Sequence, residues 1–259
     1  MMLHKLALTA LPGSKPPRLL VSVRNVEEAA AAIRGGCDIL DVKEPNRGSL
    51  GMASPMVWQQ ITEFVHSHAP HIVVTAALGE VYEYQLADAL GELPATVPAM
   101  DLVKLGTAEL GATAAWQQTL RETRAAISHK LTPKTEWVAV AYADWEAAEA
   151  PSPSEVIAEA LGAGCRGVLF DTYEKDGRGL LDWITTETLQ LAAQQLHERG
   201  LFLALAGSLK LDDLAELKTV PADIIAIRGA ACAGGLRTDS IHEQAVREFR
   251  TALESLSTT

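Results

Sequence analysis

The run Asp38-Ile39-Leu40-Asp41-Val42-Lys43, followed by Glu44-Pro45-Asn46-Arg47-Gly48-Ser49-Leu50-Gly51, decides how the chain folds. Successive side chains of a β-strand point to opposite faces. Leu40 and Val42 therefore share one face, and Ile39, Asp41 and Lys43 share the other. An apolar face packed under helices, with an opposite face that turns charged toward its end, suits a parallel strand of a closed barrel. Helices cover the outside of such a barrel, and polar groups collect at its C-terminal mouth. Asp101-Leu102-Val103-Lys104-Leu105-Gly106 repeats the arrangement, with Lys104 between Val103 and Leu105.

Outward from these two runs, short β-branched stretches alternate with helical patterns rich in Ala, Glu and Gln. Strands are expected at Leu19–Val23, Asp38–Lys43, Ile72–Ala77, Asp101–Gly106, Glu136–Tyr142, Gly167–Asp171, Leu201–Ala206 and Asp223–Arg228. Helices are expected at Val26–Arg34, Pro55–His68, Val81–Leu90, Ala112–Ser128, Ser154–Gly164, Thr185–Arg199, Lys210–Lys218 and Ser240–Leu256. Asn25, Ser54 and Ser154 suit helix N-caps, and Gly35, Gly91 and Gly200 suit left-handed C-terminal positions. Roughly 30 residues per βα unit is the arithmetic of a (β/α)8 TIM barrel. An open doubly wound sheet usually carries a Gly-rich loop after its first strand, whereas here Val21-Ser22-Val23-Arg24-Asn25 has no glycine. The reading is one TIM-barrel domain over residues 19–259, preceded by a loose N-terminal leader, 1–18. The stretch 91–99 reads as a long loop rather than a boundary.

The chain has 259 residues, 22 Lys plus Arg against 33 Asp plus Glu, and a formal net charge of −11. Such an acidic surface argues against nucleic acid and anionic lipid as partners. Any cation that meets a phosphate must then be held locally in a pocket. At 48% hydrophobic the chain can bury a sizeable core, and no run of about 18 apolar residues suggests a membrane span. Three dispersed cysteines, Cys37, Cys165 and Cys232, form no CxxC pair and fit a reducing, cytoplasmic setting. His66, His68 and His71 look like a metal cluster but fall at a helix C-terminus, away from the strand ends, so no metal is expected.

Chemistry is expected where charge interrupts a buried strand. A lysine forced into a barrel mouth sheds water, and both desolvation and a neighbouring cation lower its pKa. A neutral lysine amine attacks carbonyls, which is the Schiff-base requirement. The structural alternative makes Asp41 and Lys43 an ion pair and leaves Lys104 as an edge charge. The sixth strand ends at Asp171, with Lys175 four residues on, a pairing suited to proton transfer. The seventh and eighth strands end in Ala206-Gly207-Ser208-Leu209 and Arg228-Gly229-Ala230-Ala231. Gly207, Ser208, Gly229 and Ala230 let backbone N–H groups close on a phosphate, and Arg228 would supply the charge. Cys232 reads as a packed residue. Tyr142 and Asp144, after the fifth strand, are open candidates for substrate contact.

The run Asp41-Val42-Lys43-Glu44-Pro45-Asn46-Arg47-Gly48-Ser49-Leu50-Gly51 resembles the signature of the (5-formylfuran-3-yl)methyl phosphate synthase family. The likeness continues through Val103-Lys104-Leu105-Gly106, Ala141-Tyr142-Ala143-Asp144, Asp171-Thr172 with Lys175-Asp176-Gly177, and Ala206-Gly207-Ser208-Leu209 with Arg228-Gly229. It covers the chain from Leu19 to Leu253. The resemblance implies a TIM-barrel lyase of methanofuran biosynthesis that joins two glyceraldehyde 3-phosphate molecules, with loss of phosphate and water. By position it implies Lys43 as the Schiff-base lysine and Lys104 as the proton acceptor, supported by Asp41, Asp171 and Lys175, with no cofactor. The expected partner is a triose phosphate, and a homo-oligomer is compatible with this reading. The alternatives are a Schiff-base sugar-phosphate aldolase and a non-catalytic barrel that binds a phosphorylated metabolite.

Overall fold

The structure is a computed structural model, and it describes residues 16–86, 89–111 and 114–255. Most of the expected leader lies outside the described residues, as do the expected helix ends Ala112 and Leu256. Eight parallel strands close in sequence order: β1 (Arg18–Val23), β2 (Ile39–Val42), β3 (Val73–Glu80), β4 (Leu102–Gly106), β5 (Glu136–Tyr142), β6 (Gly167–Asp171), β7 (Phe202–Leu205) and β8 (Ile224–Ile227). The circle is completed where β1 pairs with β8, Leu20 opposite Ala226 and Val21 opposite Ile227. Helices α1 (Val26–Arg34), α2 (Pro55–His68), α3 (Val81–Leu86), α4 (Trp116–Ser128), α5 (Pro153–Gly162), α6 (Thr186–His197), α7 (Leu214–Leu217) and α8 (Glu243–Ser255) follow the strands. A further short helix spans Ala89–Glu92. This is the (β/α)8 barrel that the sequence pattern predicts.

Two apolar layers separate along the period-two alternation. Leu40 and Val42 join Trp58 and Ile61 of α2 in the layer between sheet and helices. Ile39, Val73, Leu102, Val138, Leu169 and Phe202 fill the barrel interior. Gly167 belongs to that filling, because a Cβ there would stand 2.4 Å from the Phe202 ring. Leu93, Val97 and Met100 are buried against the outer layer, so the stretch 91–99 packs onto the barrel. Among the described residues no helix is long and apolar enough to cross a membrane.

Local differences have local causes. The side chain that caps α5 is Ser152, in a reciprocal capping box with Glu155, and not Ser154. After α1 the left-handed residue is Gly36, at φ 94°. Gly35 is instead a close-approach residue, where a Cβ would sit 2.5 Å from Val246. The predicted helix Lys210–Lys218 contracts to the four residues of α7. The third strand runs on past Ala77 to Glu80 through an irregularity in its pairing with β4.

Candidate active site

Asp41, Lys43, Lys104, Asp171, Lys175, Ser208 and Arg228 line one cavity of about 730 Å³. Register explains how they meet. Ser22, Asp41 and Thr75 stand opposite one another on β1, β2 and β3. All three are buried, so their polar atoms must satisfy each other. Thr75 Oγ1 donates to Asp41 Oδ1 at 2.7 Å and Ser22 Oγ to Asp41 Oδ2 at 3.3 Å. Lys104 Nζ, also buried, donates to Asp41 Oδ1 at 2.5 Å. Burial pushes the Asp41 carboxyl up, but Lys104, Lys43 and the hydroxyl donors outweigh it and hold the group below the usual carboxylate range. Asp41 therefore pairs with Lys104 on β4 rather than with Lys43 on its own strand, and Lys104 is a buried cation rather than an edge charge.

Lys43 is left without a carboxylate in hydrogen-bond contact among the described residues. Its Nζ donates to the Ser49 carbonyl at 3.3 Å. Burial is the largest influence on it and lowers its pKa to about 8. Asp171 and Asp41 oppose that shift, while Lys175 and Lys104 add to it. The cation–cation repulsion expected from sequence is therefore the smaller effect.

Asp171 ends β6 and is buried. It accepts from its neighbour's backbone, Thr172 N–H, at 2.8 Å, from Ser49 Oγ at 3.3 Å and from Lys175 Nζ at 3.4 Å. Burial raises its pKa, and Lys175 and Lys43 more than reverse that, so the carboxylate is the favoured form. Ser49 lies in the long signature but was not singled out as a site residue. Its hydroxyl also donates to the Thr172 carbonyl at 2.8 Å, tying the loop after β2 to the loop after β6. Asp144 acts on the same loop from β5, accepting the N–H groups of Tyr173 and Glu174, both at 2.8 Å.

At the ends of β7 and β8 the backbone opens toward the cavity. Gly207 has φ 96°, and the next residue, Ser208, holds φ 52° without being glycine, a strained conformation of the kind found at ligand sites. The Gly207 carbonyl is fixed by Leu180 N–H at 2.8 Å. Among the described residues, the N–H groups of Gly207, Ser208, Gly229 and Ala230 have no hydrogen-bond acceptor. Arg228 departs from expectation. Its Nη1 donates to Glu28 Oε2 at 2.8 Å and to the Ser22 carbonyl at 2.7 Å. Its Nη2 reaches Glu28 Oε1 and the Asp239 carbonyl, and its Nε the Arg237 carbonyl. All five donors are engaged, with Glu28 shared between Arg228 and Arg24, so the guanidinium has no donor left for a phosphate. This corrects the role read for Arg228. The cation of that loop with donors to offer the cavity is Arg237, which the sequence reading passed over.

A second group was also missed. The Glu80 carboxylate accepts from Tyr142 Oη at 2.5 Å and from Ala108 N–H at 3.1 Å, and it is buried. Burial raises its pKa to about 7. Gly106 makes the room: a Cβ there would stand 2.0 Å from Glu80 Oε2. The signal available was the pair Gly79-Glu80 at a strand end, obscured because the third strand was ended early. Tyr142, an open candidate, is fully buried on Glu80, beside Asp171 on the neighbouring strand. Cys232 is packed between the carbonyls of Arg228 and Asp239. Among the described residues no group of three His, Cys, Asp or Glu side chains is placed to hold a metal.

The family model described as 4-HFC-P synthase matches residues 19–250, the whole barrel. The chain belongs to the 4-HFC-P synthase family. A relative from Methanobrevibacter smithii, named (5-formylfuran-3-yl)methyl phosphate synthase, is 37% identical over 240 residues, covering 92% of this chain and 99% of the relative. Relatives of the same name from Methanothermobacter thermautotrophicus and Methanosarcina acetivorans are each 35% identical, covering 92% and 90% of this chain and 99% and 97% of theirs. Among solved structures, phosphoribosyl anthranilate isomerase from Thermotoga maritima aligns with TM-score 0.58 at 14% identity, over 92% of this chain and 99% of that one. A 3-hexulose-6-phosphate synthase aligns with TM-score 0.52 at 18% identity, over 91% and 99%. At such identities the structural likeness speaks for the barrel alone, whereas the sequence relatives place this member of the 4-HFC-P synthase family among enzymes.

Proposed function

We propose that this chain condenses two molecules of glyceraldehyde 3-phosphate to (5-formylfuran-3-yl)methyl phosphate through an imine on Lys43, a step toward methanofuran or a related carrier. The atoms balance with release of one phosphate and two waters. The observation that carries the reading is the state of Lys43: an amine in a charged cavity, with a carbonyl as its hydrogen-bond partner and a pKa near 8. The name of its relatives and the unengaged N–H groups at the ends of β7 and β8 support the same reading.

The sequence of events follows from placement. The neutral Lys43 amine adds to the aldehyde carbon of one triose and water leaves, giving a protonated imine. That cation withdraws electrons from the adjacent carbon, which gives up a proton and becomes the nucleophilic end of an enamine. The enamine attacks the aldehyde of the second triose. Asp171, held as a carboxylate between Lys43 and Lys175, stabilises the iminium and takes up protons, while Lys175 donates to the departing oxygens. Lys104, coupled to Asp41, exchanges protons on the opposite wall, donating first and accepting later. Phosphate leaves the second triose, whose phosphate-bearing carbon rises to the aldehyde level by an internal shift as its former aldehyde carbon is reduced to a ring CH. Loss of water closes the aromatic ring and releases the Lys43 amine. The resulting cytoplasmic, metabolite-processing role needs no macromolecular partner.

Incubation of the protein with glyceraldehyde 3-phosphate alone tests the reading. The expected result is a product with the mass and ultraviolet band of a furan aldehyde, formed with one phosphate released per product. Lys43→Ala should lower the rate by about a thousandfold or more with an unchanged circular dichroism spectrum. A simple aldol without the furan band would favour the aldolase. Phosphate binding without turnover would favour the non-catalytic barrel.

A further inference from the structure

Arg237 follows β8 in a loop that folds back on the strand end. Arg228 Nε donates to its carbonyl at 2.6 Å, and Gly229 lies under the same segment, where a Cβ would stand 3.0 Å from the Gly235 carbonyl. The backbone of Arg237 is thus anchored while its side chain extends over the mouth. Its Nη2 donates to the Gly48 carbonyl at 2.7 Å. Among the described residues no carboxylate pairs with it, and its remaining N–H donors have no acceptor. Asp171 and Glu44 act on it at longer range, as does the repulsion of Arg228, whose partner Glu28 is shared with Arg24. A partly buried guanidinium with a free fork is suited to bidentate contact with a phosphate.

Position narrows which phosphate. Lys43 Nζ bonds the carbonyl of Ser49, and Arg237 bonds the carbonyl of Gly48. The two cations therefore sit on consecutive carbonyls of one turn, on the β2 side of the mouth. The unengaged N–H groups of Gly207, Ser208, Gly229 and Ala230 lie at the ends of β7 and β8. In a triose phosphate, two C–C bonds and one ester oxygen separate the aldehyde carbon from phosphorus, a span that suits two neighbouring cations. We propose that Arg237 holds the phosphate of the triose that forms the imine on Lys43, leaving the backbone N–H cradle to the phosphate of the second triose. This inference rests on the reaction proposed above. It makes Arg237 a specificity residue for a phosphorylated aldehyde at the imine position, and it assigns Arg228 the task of holding the Arg237 loop in place.

Borohydride trapping decides it. The rate of reduced adduct formation on Lys43 is measured with glyceraldehyde 3-phosphate and with unphosphorylated glyceraldehyde. The wild type should prefer the phosphorylated triose. Arg237→Met should cut that preference by about 10- to 100-fold, the loss expected for charged hydrogen bonds to a phosphate. Reaction with unphosphorylated glyceraldehyde should stay close to wild type, which also shows that the variant is folded. Arg237→Lys should restore part of the preference, because it keeps the charge but not the fork. If the wild type traps the trioses and Arg237→Met keeps the full preference, the role of Arg237 is overturned while the reaction stands. If the wild type traps neither compound, the reaction is overturned and the role of Arg237 with it.

Discussion

Two lysines enter the same barrel mouth and meet different fates, and one carboxylate decides between them. Asp41 sits level with Thr75 and within reach of Lys104, so Lys104 keeps a partner at 2.5 Å. Lys43 is two residues along from Asp41 and rises above that contact toward the Ser49 carbonyl. Its desolvation is then incompletely offset, and its pKa falls from 10.5 to about 8. At pH 7 about one Lys43 in ten is a free amine, against about one in three thousand for a lysine of ordinary pKa. The sign is fixed: a lowered amine pKa enriches the nucleophile as pH rises and saturates once the group is neutral. The rate of imine formation should therefore climb from pH 6 and level off just above pH 8, read as a pH profile of single-turnover adduct formation. A limb still climbing at pH 10 would mean that Lys43 is an ordinary solvated lysine.

At the scale of elements, the barrel was legible because its strands obey a strict alternation and are punctuated by helix caps. Leu40 and Val42 against Ile39, Asp41 and Lys43 already separate the outer layer from the interior. Boundaries failed where packing overrode local signals, as at Gly35, which serves the close approach of Val246 and leaves the left-handed turn to Gly36. The placement of Asp41, Lys104 and Asp171 in the cavity was legible for the same reason as the strands. Arg228 was misread because its partner Glu28 lies 200 positions away, and the loop that presents Arg237 follows no period at all. Glu80 was hidden because β3 continues past an irregularity. That acid joins the end of β3 to Tyr142 on β5 across β4, and it fits because Gly106 has no side chain. Gly106→Ala should drive the Glu80 carboxylate out of its place and break two buried hydrogen bonds. The expected cost is about 2–4 kcal/mol in denaturant unfolding. A variant as stable as wild type would show that Glu80 does not depend on the gap.

Across the whole molecule, charge is arranged by contrast. The chain carries −11 overall, yet the site cavity gathers Lys43, Lys104, Lys175, Lys210, Arg228 and Arg237 against Asp41, Asp171 and Asp212. Asp41 and Asp171 hold Lys104 and Lys175, and Lys210 is exposed, so the proposed function assigns the covalent chemistry to Lys43. The fold supports this division: three strands converge on Asp41, and the loops after β2 and β6 are clasped through Ser49. The most direct test of that claim is peptide mass mapping after incubation with glyceraldehyde 3-phosphate and borohydride. A single reduced triose adduct on Lys43, with Lys104 and Lys175 unmodified, is the predicted result. An adduct on Lys104 or Lys175 in place of Lys43, or none on any of the three, would contradict it.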